Sequence, residues 1–170
     1  AKMVKIIFKN IFWKINLYLI FFIYLFFFNF IFLSFTENIL LSSFLIIVLF
    51  TCFTSDIAGF ICGKIFKGPK LTKISPNKTF SGSFGSIIFS IIIYVSLIYL
   101  IFGVFKYSLI FNGFVISISV QIGDLLFSFL KRKSNLKNTG NLLPGHGGIL
   151  DRIDGILFGV PVGLIIYILI

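Results

Sequence analysis

The residues able to do chemistry crowd into one stretch of this 170-residue chain, Ser128 to Asp154. Five cations (Lys131, Arg132, Lys133, Lys137, Arg152), two carboxylates (Asp151, Asp154) and the only histidine, His146, sit there among Gly140, Pro144, Gly145, Gly147 and Gly148. Ammonium and guanidinium groups neutralise phosphate oxygens, and glycines let backbone N–H groups approach them closely. The same glycines and proline make the stretch hard to pack as helix or sheet. Alone, such a loop is weakly specific, serves equally as a plain tight turn, and lacks the Walker spacing of P-loop enzymes. Beside carboxylates and cations it reads as a metal-and-phosphate site at a bilayer surface. A single histidine cannot build a zinc cluster, and no Ser/His/Asp set stands at a familiar spacing. Phosphoryl or nucleotidyl transfer suits these residues, because a phosphate nucleophile needs cations and orientation rather than a general base.

Two further carboxylates, Asp56 and Asp124, interrupt apolar runs in which ionised groups are expensive and usually functional. Asp56 precedes Lys64 and Asp124 precedes Lys131 by two helical turns, which puts both ~10–12 Å below a basic face. Asp151 and Asp154, three apart, share a helix face near its positive end. Four carboxylates at one level repel unless cations hold them, and Mg²⁺ is the hard ion that carboxylates and phosphate oxygens select. A proton or sodium path stays open at this point, as does a bond from any one Asp to a neighbouring helix. Ser75-Pro-Asn-Lys-Thr79, followed by Ser81-Gly-Ser-Phe-Gly85, has two readings. It is a turn and N-cap entering a helix, or a set of hydroxyls and Lys78 around a nucleotide phosphate.

The elements that must hold these groups are membrane spans. With 58% hydrophobic residues, 25 Phe, a mean hydropathy of +1.11 and only 12% charged residues, the chain cannot solvate a globule. Its net charge of +10 suits lipid head groups and substrate phosphates, and no nucleic-acid partner is expected. Apolar runs near residues 16–35, 39–62, 84–105, 108–130 and 154–170 predict an all-α polytopic integral membrane protein of about five transmembrane helices. The last run is short and carries Pro161, so a tilt or kink is expected there. Of the 15 cations, 14 fall before span one, between spans two and three, or between spans four and five; Lys106 alone falls opposite. That face is expected to be cytoplasmic. Glu37 lies in a short outer turn, and Cys52 and Cys62 read as buried, inert thiols. Lys2 and Lys5 precede an apolar run as in a signal peptide, but no small-residue cleavage site follows and Lys9 and Lys14 interrupt it. An amphipathic approach to span one is expected.

The pattern Ser128, two residues, Lys131-Arg132, four residues, Lys137-Asn138, then Pro144-x-His146-Gly147-Gly148 and Asp151-Arg152-x-Asp154 resembles the signature of the phosphatidate cytidylyltransferase (CDP-diacylglycerol synthase) family. Gln121-Ile-Gly-Asp124, Ser75-Pro-Asn-Lys-Thr79 and Asp56-Ile-Ala-Gly-Phe60 followed by Gly63 extend the likeness over roughly residues 50 to 160. The resemblance implies transfer of CMP from CTP to phosphatidic acid in a bacterial inner membrane, with the basic loops cytoplasmic. By position it implies that Asp124, Asp151 and Asp154 hold Mg²⁺ together with a second ion, divalent or monovalent. Lys131, Arg132, Lys137 and Arg152 would neutralise phosphates, and His146 would assist departure of pyrophosphate. Asp56, Ser75, Lys78 and Thr79 would line the nucleotide side, with Ser128, Gly147 and Gly148 also contacting substrate. Residues 1–50 would be membrane-anchoring spans, shortened relative to the family, and 51–170 the catalytic domain, with a homodimer as an option. One position departs from the pattern: Asn138 stands where the family has Asp, removing a charge while keeping an acceptor oxygen. A silent scaffold, a cation-coupled transporter and a CTP-dependent polyprenol kinase are the alternatives.

Overall fold

The computed structural model describes residues 2–72, 75, 78–133 and 150–169, with side chains from Tyr18 onward except at 150–152. Within these residues five helices follow in order: α1 (Lys2–Thr36), α2 (Ile39–Phe66), α3 (Phe80–Phe102), α4 (Ser108–Lys133) and α5 (Leu150–Leu169). Among the described residues the β structure is one antiparallel bridge, Lys70 with Thr79. Among the described residues four helices are long and apolar enough to cross a bilayer, through Tyr18–Thr36, Ile39–Phe66, Phe80–Phe102 and Ser108–Lys133. The fifth apolar stretch, Ile153–Leu169, is shorter, though at 1.5 Å per residue α5 as a whole reaches ~30 Å, the thickness of the hydrocarbon core. The chain is an all-α polytopic membrane protein.

Hydropathy marks the middle of each span, whereas capping decides its ends. α2 begins where the Asn38 side chain accepts the Leu40 N–H at 3.2 Å. α3 begins at Phe80, four residues before the expected start, because Thr79 Oγ1 accepts the Gly82 N–H at 3.1 Å. Ser81 to Gly85 are therefore helical, not loop. α3 ends at Gly103, whose φ of 66° suits a left-handed cap and whose N–H reaches the Tyr99 carbonyl at 2.9 Å. α1 is continuous from Lys2, and α2 runs on to Phe66.

Lipid is as apolar as a leucine side chain, so these helices associate by close packing and polar bonds rather than by water expulsion. α2 and α3 cross with their backbones almost touching: a Cβ on Gly82 would lie 2.5 Å from the Gly59 carbonyl oxygen. Gly155, Gly159 and Gly163 give α5 a flat ridge against α4 and α2, and a Cβ on Gly159 would come within 2.5 Å of Val120 Cγ2 and 2.7 Å of Cys52 Sγ. Cys52 and Cys62 are buried and free, as expected. The core runs through Ile47, Val48, Tyr94, Ile116, Val120, Val160 and Leu164. α1 contributes Ile31 and Phe35 to it, with Phe28 and Phe32 packed alongside, while the rest of its apolar span faces mostly outward, toward lipid.

Pro161 does not break α5. Proline lacks an N–H, so the Leu157 carbonyl four residues earlier loses its helical donor; the Tyr24 hydroxyl of α1 donates to it instead. Contacts of Tyr24 with Phe158 and of Phe35 with Tyr167 make α1 and α5 parallel. Lys2, the loop after α2, the end of α4 and the start of α5 thus share one end of the bundle. Rings of Phe44, Phe102 and Tyr167 close the other, with Phe44 and Phe102 centroids 4.5 Å apart.

Candidate functional site

The described residues of the loop after α2, which runs over 67–79, are tied to one another and to α3. Lys67 caps α2 at φ 43°, a left-handed conformation that costs a non-glycine residue ~1–2 kcal/mol. Backbone bonds from Leu71 N–H to the Lys78 carbonyl (2.8 Å), from Phe80 N–H to the Pro69 carbonyl (3.0 Å) and from Lys78 N–H to the Ser75 carbonyl (3.1 Å) fold it back on itself. Gly68 N–H donates to Ser81 Oγ at 3.2 Å, fastening it to α3. These bonds aim Lys78 at α4, where its ammonium pairs with Asp124. One turn further along α4, the Ser128 hydroxyl lies 3.4 Å from the other Asp124 oxygen.

A second pair lies where α4 meets α5. Lys131 Nζ stands 3.6 Å from Asp154 Oδ2, and Gly155 N–H donates to Asp154 Oδ1 at 2.9 Å. The helices touch here: a Cβ on Gly123 would be 2.9 Å from the Asp154 carbonyl oxygen. Asp56 Oδ2 of α2 lies 3.5 Å from where a Cβ of Gly155 would be. Asp56 is accordingly within electrostatic reach of Asp124, Asp154 and Lys78. Carboxylates from α2, α4 and α5 thus meet at the basic end of the bundle.

A cavity of about 510 Å³ opens beside them, lined by Asp56, Ser75, Lys78, Thr79, Gln121 and Asp124, with Phe53 and Phe60 on the apolar side. Its floor is a polar network. Gln121 takes the Ser83 hydroxyl on its carboxamide oxygen, and its nitrogen donates to the Ser83 carbonyl and to Ser117 Oγ, each at 3.3 Å. Ser117 and Ser55 hydroxyls pair at 3.0 Å, and Ser86 Oγ donates to the Ser55 carbonyl at 2.7 Å. Five helix-borne polar side chains therefore fix α2, α3 and α4 around the cavity, a rigid wall on which a ligand can be oriented.

Of the residues singled out from sequence, Asp56, Ser75, Lys78, Thr79 and Asp124 line one cavity, Ser128 touches Asp124, and Lys131 pairs with Asp154. Thr79 also realises its plainer reading, as the cap of α3. Arg132 is exposed at the end of α4. Lys137, Asn138, His146, Gly147 and Gly148 lie outside the described residues, as do the side chains of Asp151 and Arg152; the backbone of that pair forms the first turn of α5. Among the described residues, no three Asp, Glu, His or Cys side chains are arranged to hold a metal ion unaided. The donor chemistry of Asp124 and Asp154 nonetheless fits Mg²⁺, whose shell takes few carboxylates and is completed by phosphate oxygens and water. Ser55, Ser86 and Ser117 were absent from the sequence-derived site, and Gln121 and Ser83 entered it only within longer motifs, with no role of their own. Their signal was helical spacing: Gln121 stands three before Asp124, and Ser83 and Ser86 fall on one face of α3.

The cytidylyltransferase family pattern matches residues 2–170. The phosphatidate cytidylyltransferase of Rickettsia typhi is 41% identical over 139 residues, covering 75% of this chain and 61% of that protein. That of Helicobacter pylori is 39% identical over 107 residues, covering 62% and 40%, and that of Staphylococcus saprophyticus is 39% identical over 109 residues, covering 63% and 42%. The chain thus spans about 40–61% of the length of these curated relatives. A match over residues 2–170 means that the chain belongs to the cytidylyltransferase family.

Proposed function

We propose that this chain catalyses transfer of CMP from CTP to phosphatidic acid, giving CDP-diacylglycerol and pyrophosphate. The observation that carries the reading is that Asp56, Asp124 and Lys78 line one cavity while Asp154, paired with Lys131, lies where α5 packs on the Asp124 turn of α4, all at the basic end of a membrane bundle. The phosphate of phosphatidic acid attacks the α-phosphorus of CTP; the bond from that phosphorus to the bridging oxygen breaks, and pyrophosphate leaves with the electron pair. A phosphomonoester carries about −1.5 to −2 charges at neutral pH, so the nucleophile needs no base and the obstacle is repulsion between polyanions. Lys78 and Lys131 supply positive charge beside Asp124 and Asp154. Arg132, Lys137 and Arg152 extend that field, Gly147 and Gly148 offer backbone N–H groups, and His146 serves the departing pyrophosphate. Asp124, Asp154 and Asp151 would hold Mg²⁺, which on binding supplies charge neutralisation and an in-line template for the triphosphate. Ser75, Thr79 and Ser128 orient the nucleotide side, and the Gln121 network keeps that wall from yielding.

The lipid substrate arrives laterally from the bilayer, and CTP from the face that carries the lysines. In this reading that face is the cytoplasmic side of a bacterial inner membrane, residues 51–170 form the catalytic unit and residues 1–50 anchor it. Asn138 favours a second reading, an enzyme with weakened turnover. Purified protein given Mg²⁺, labelled CTP and phosphatidic acid should form lipid-linked CMP. Product no greater than that of an Asp124→Asn control defeats the proposal.

A further inference from the structure

Helix α1 stands apart from the charged half of the chain, yet it bears on the turn of α5 next to Asp154. Pro161 leaves the Leu157 carbonyl without its helical donor, and at 5% exposure no lipid or water can supply one. The Tyr24 hydroxyl fills that place. Its ring lies nearly flat on Phe158, with centroids 5.3 Å apart and planes 21° apart. Phe158 in turn bears on α4, where a Cβ on Gly123 would be 2.9 Å from Phe158 Cβ, and its ring meets Phe127 edge-on at 6.3 Å. Phe21, almost one turn before Tyr24, meets the same Phe127 at 6.4 Å. Asp124 follows Gly123 directly, and Asp154 lies one turn before Phe158. Tyr24 therefore presses the Asp154 turn of α5 onto the Asp124 turn of α4.

We propose that Tyr24 is a positioning residue for the Asp124 and Asp154 carboxylates, acting through the carbonyl that Pro161 frees and the Phe158 ring seated on Gly123. Its importance for turnover rests on the reaction proposed above; the pin itself does not. Tyr24→Phe removes the hydroxyl and keeps the ring. It should speed amide hydrogen exchange at residues 155–159 and lower kcat about fivefold, while the KM for CTP moves less than about twofold. Pro161→Ala gives Leu157 an N–H partner of its own, so adding it to Tyr24→Phe should bring both readouts back to within about twofold of the parent. Simple loss of packing would show no such rescue. Unchanged exchange in Tyr24→Phe, or losses that multiply in the double variant, would overturn the proposal. Exchange and rescue as expected, in a protein that forms no lipid-linked CMP, would leave the pin standing and refute only the reaction.

Discussion

The two lysine–carboxylate pairs are built from the same chemistry and sit in different surroundings. Lys78 and Asp124 face the cavity, with side chains 23% and 29% exposed, and Lys78 arrives on a loop. Lys131 and Asp154 are wedged between two helices, at 16% and 8%, with ammonium and carboxylate 3.6 Å apart. A pair at a cavity wall can trade partners: a phosphate can take the lysine while a metal takes the carboxylate, at little cost in solvation. A pair with almost no access to solvent cannot do so freely, because each charge left alone there is penalised by several kcal/mol. The first pair is therefore suited to substrate exchange, the second to holding α4 against α5, with lone pairs of the Asp154 carboxylate left over for a metal.

That contrast predicts different failures. Asp124→Asn should lower lipid-linked CMP formation by at least ~10³-fold, the scale of losing a group that stabilises developing charge, with circular dichroism and thermal unfolding nearly unchanged. Lys131→Met should act first on stability, removing the ammonium paired with Asp154 at a cost of ~3 kcal/mol in detergent denaturation, and Asp154→Leu added to it should recover most of that loss. If the single and double variants prove equally unstable, the pair is not the strut described. Lys78→Met should raise the KM for CTP ~10-fold, as expected for one charge-assisted phosphate interaction, without moving the melting temperature by more than ~2 °C. Gln121→Leu should cost least, ~0.6 kcal/mol for each hydrogen bond removed between membrane helices, and show as a few-fold drop in kcat. A larger loss from Gln121→Leu than from Lys78→Met would invert the ranking and place the critical interactions in the network rather than at the charged wall.

Much of this was readable from the residues alone, for physical reasons that differ by position. The spans were legible because lipid demands long apolar runs, and the shared face of the cations because it follows from counting crossings; Lys78 meeting Asp124 and Lys131 meeting Asp154 agree with it. Asp56 and Asp124 stood out as carboxylates where hydrocarbon was expected. Helix ends were not legible from hydropathy: α3 starts at Phe80 because of one hydroxyl on Thr79, and that moved Ser81 to Gly85 into the helix. Ser55, Ser86 and Ser117 were invisible because Ser is unremarkable in an apolar run until its neighbours on other helices are known. Pro161 drew attention as the site of a tilt or kink and acts through the carbonyl it releases. No sequence rule names Tyr24 as the donor.

Nucleotide binding tests the central claim most directly. With purified protein in detergent, CTP titrated in the presence and absence of Mg²⁺ should bind far more tightly with the metal, and Asp124→Asn should lose that metal-dependent gain while remaining folded. Equal CTP affinity in the parent and in Asp124→Asn, with Mg²⁺ present, would contradict the account.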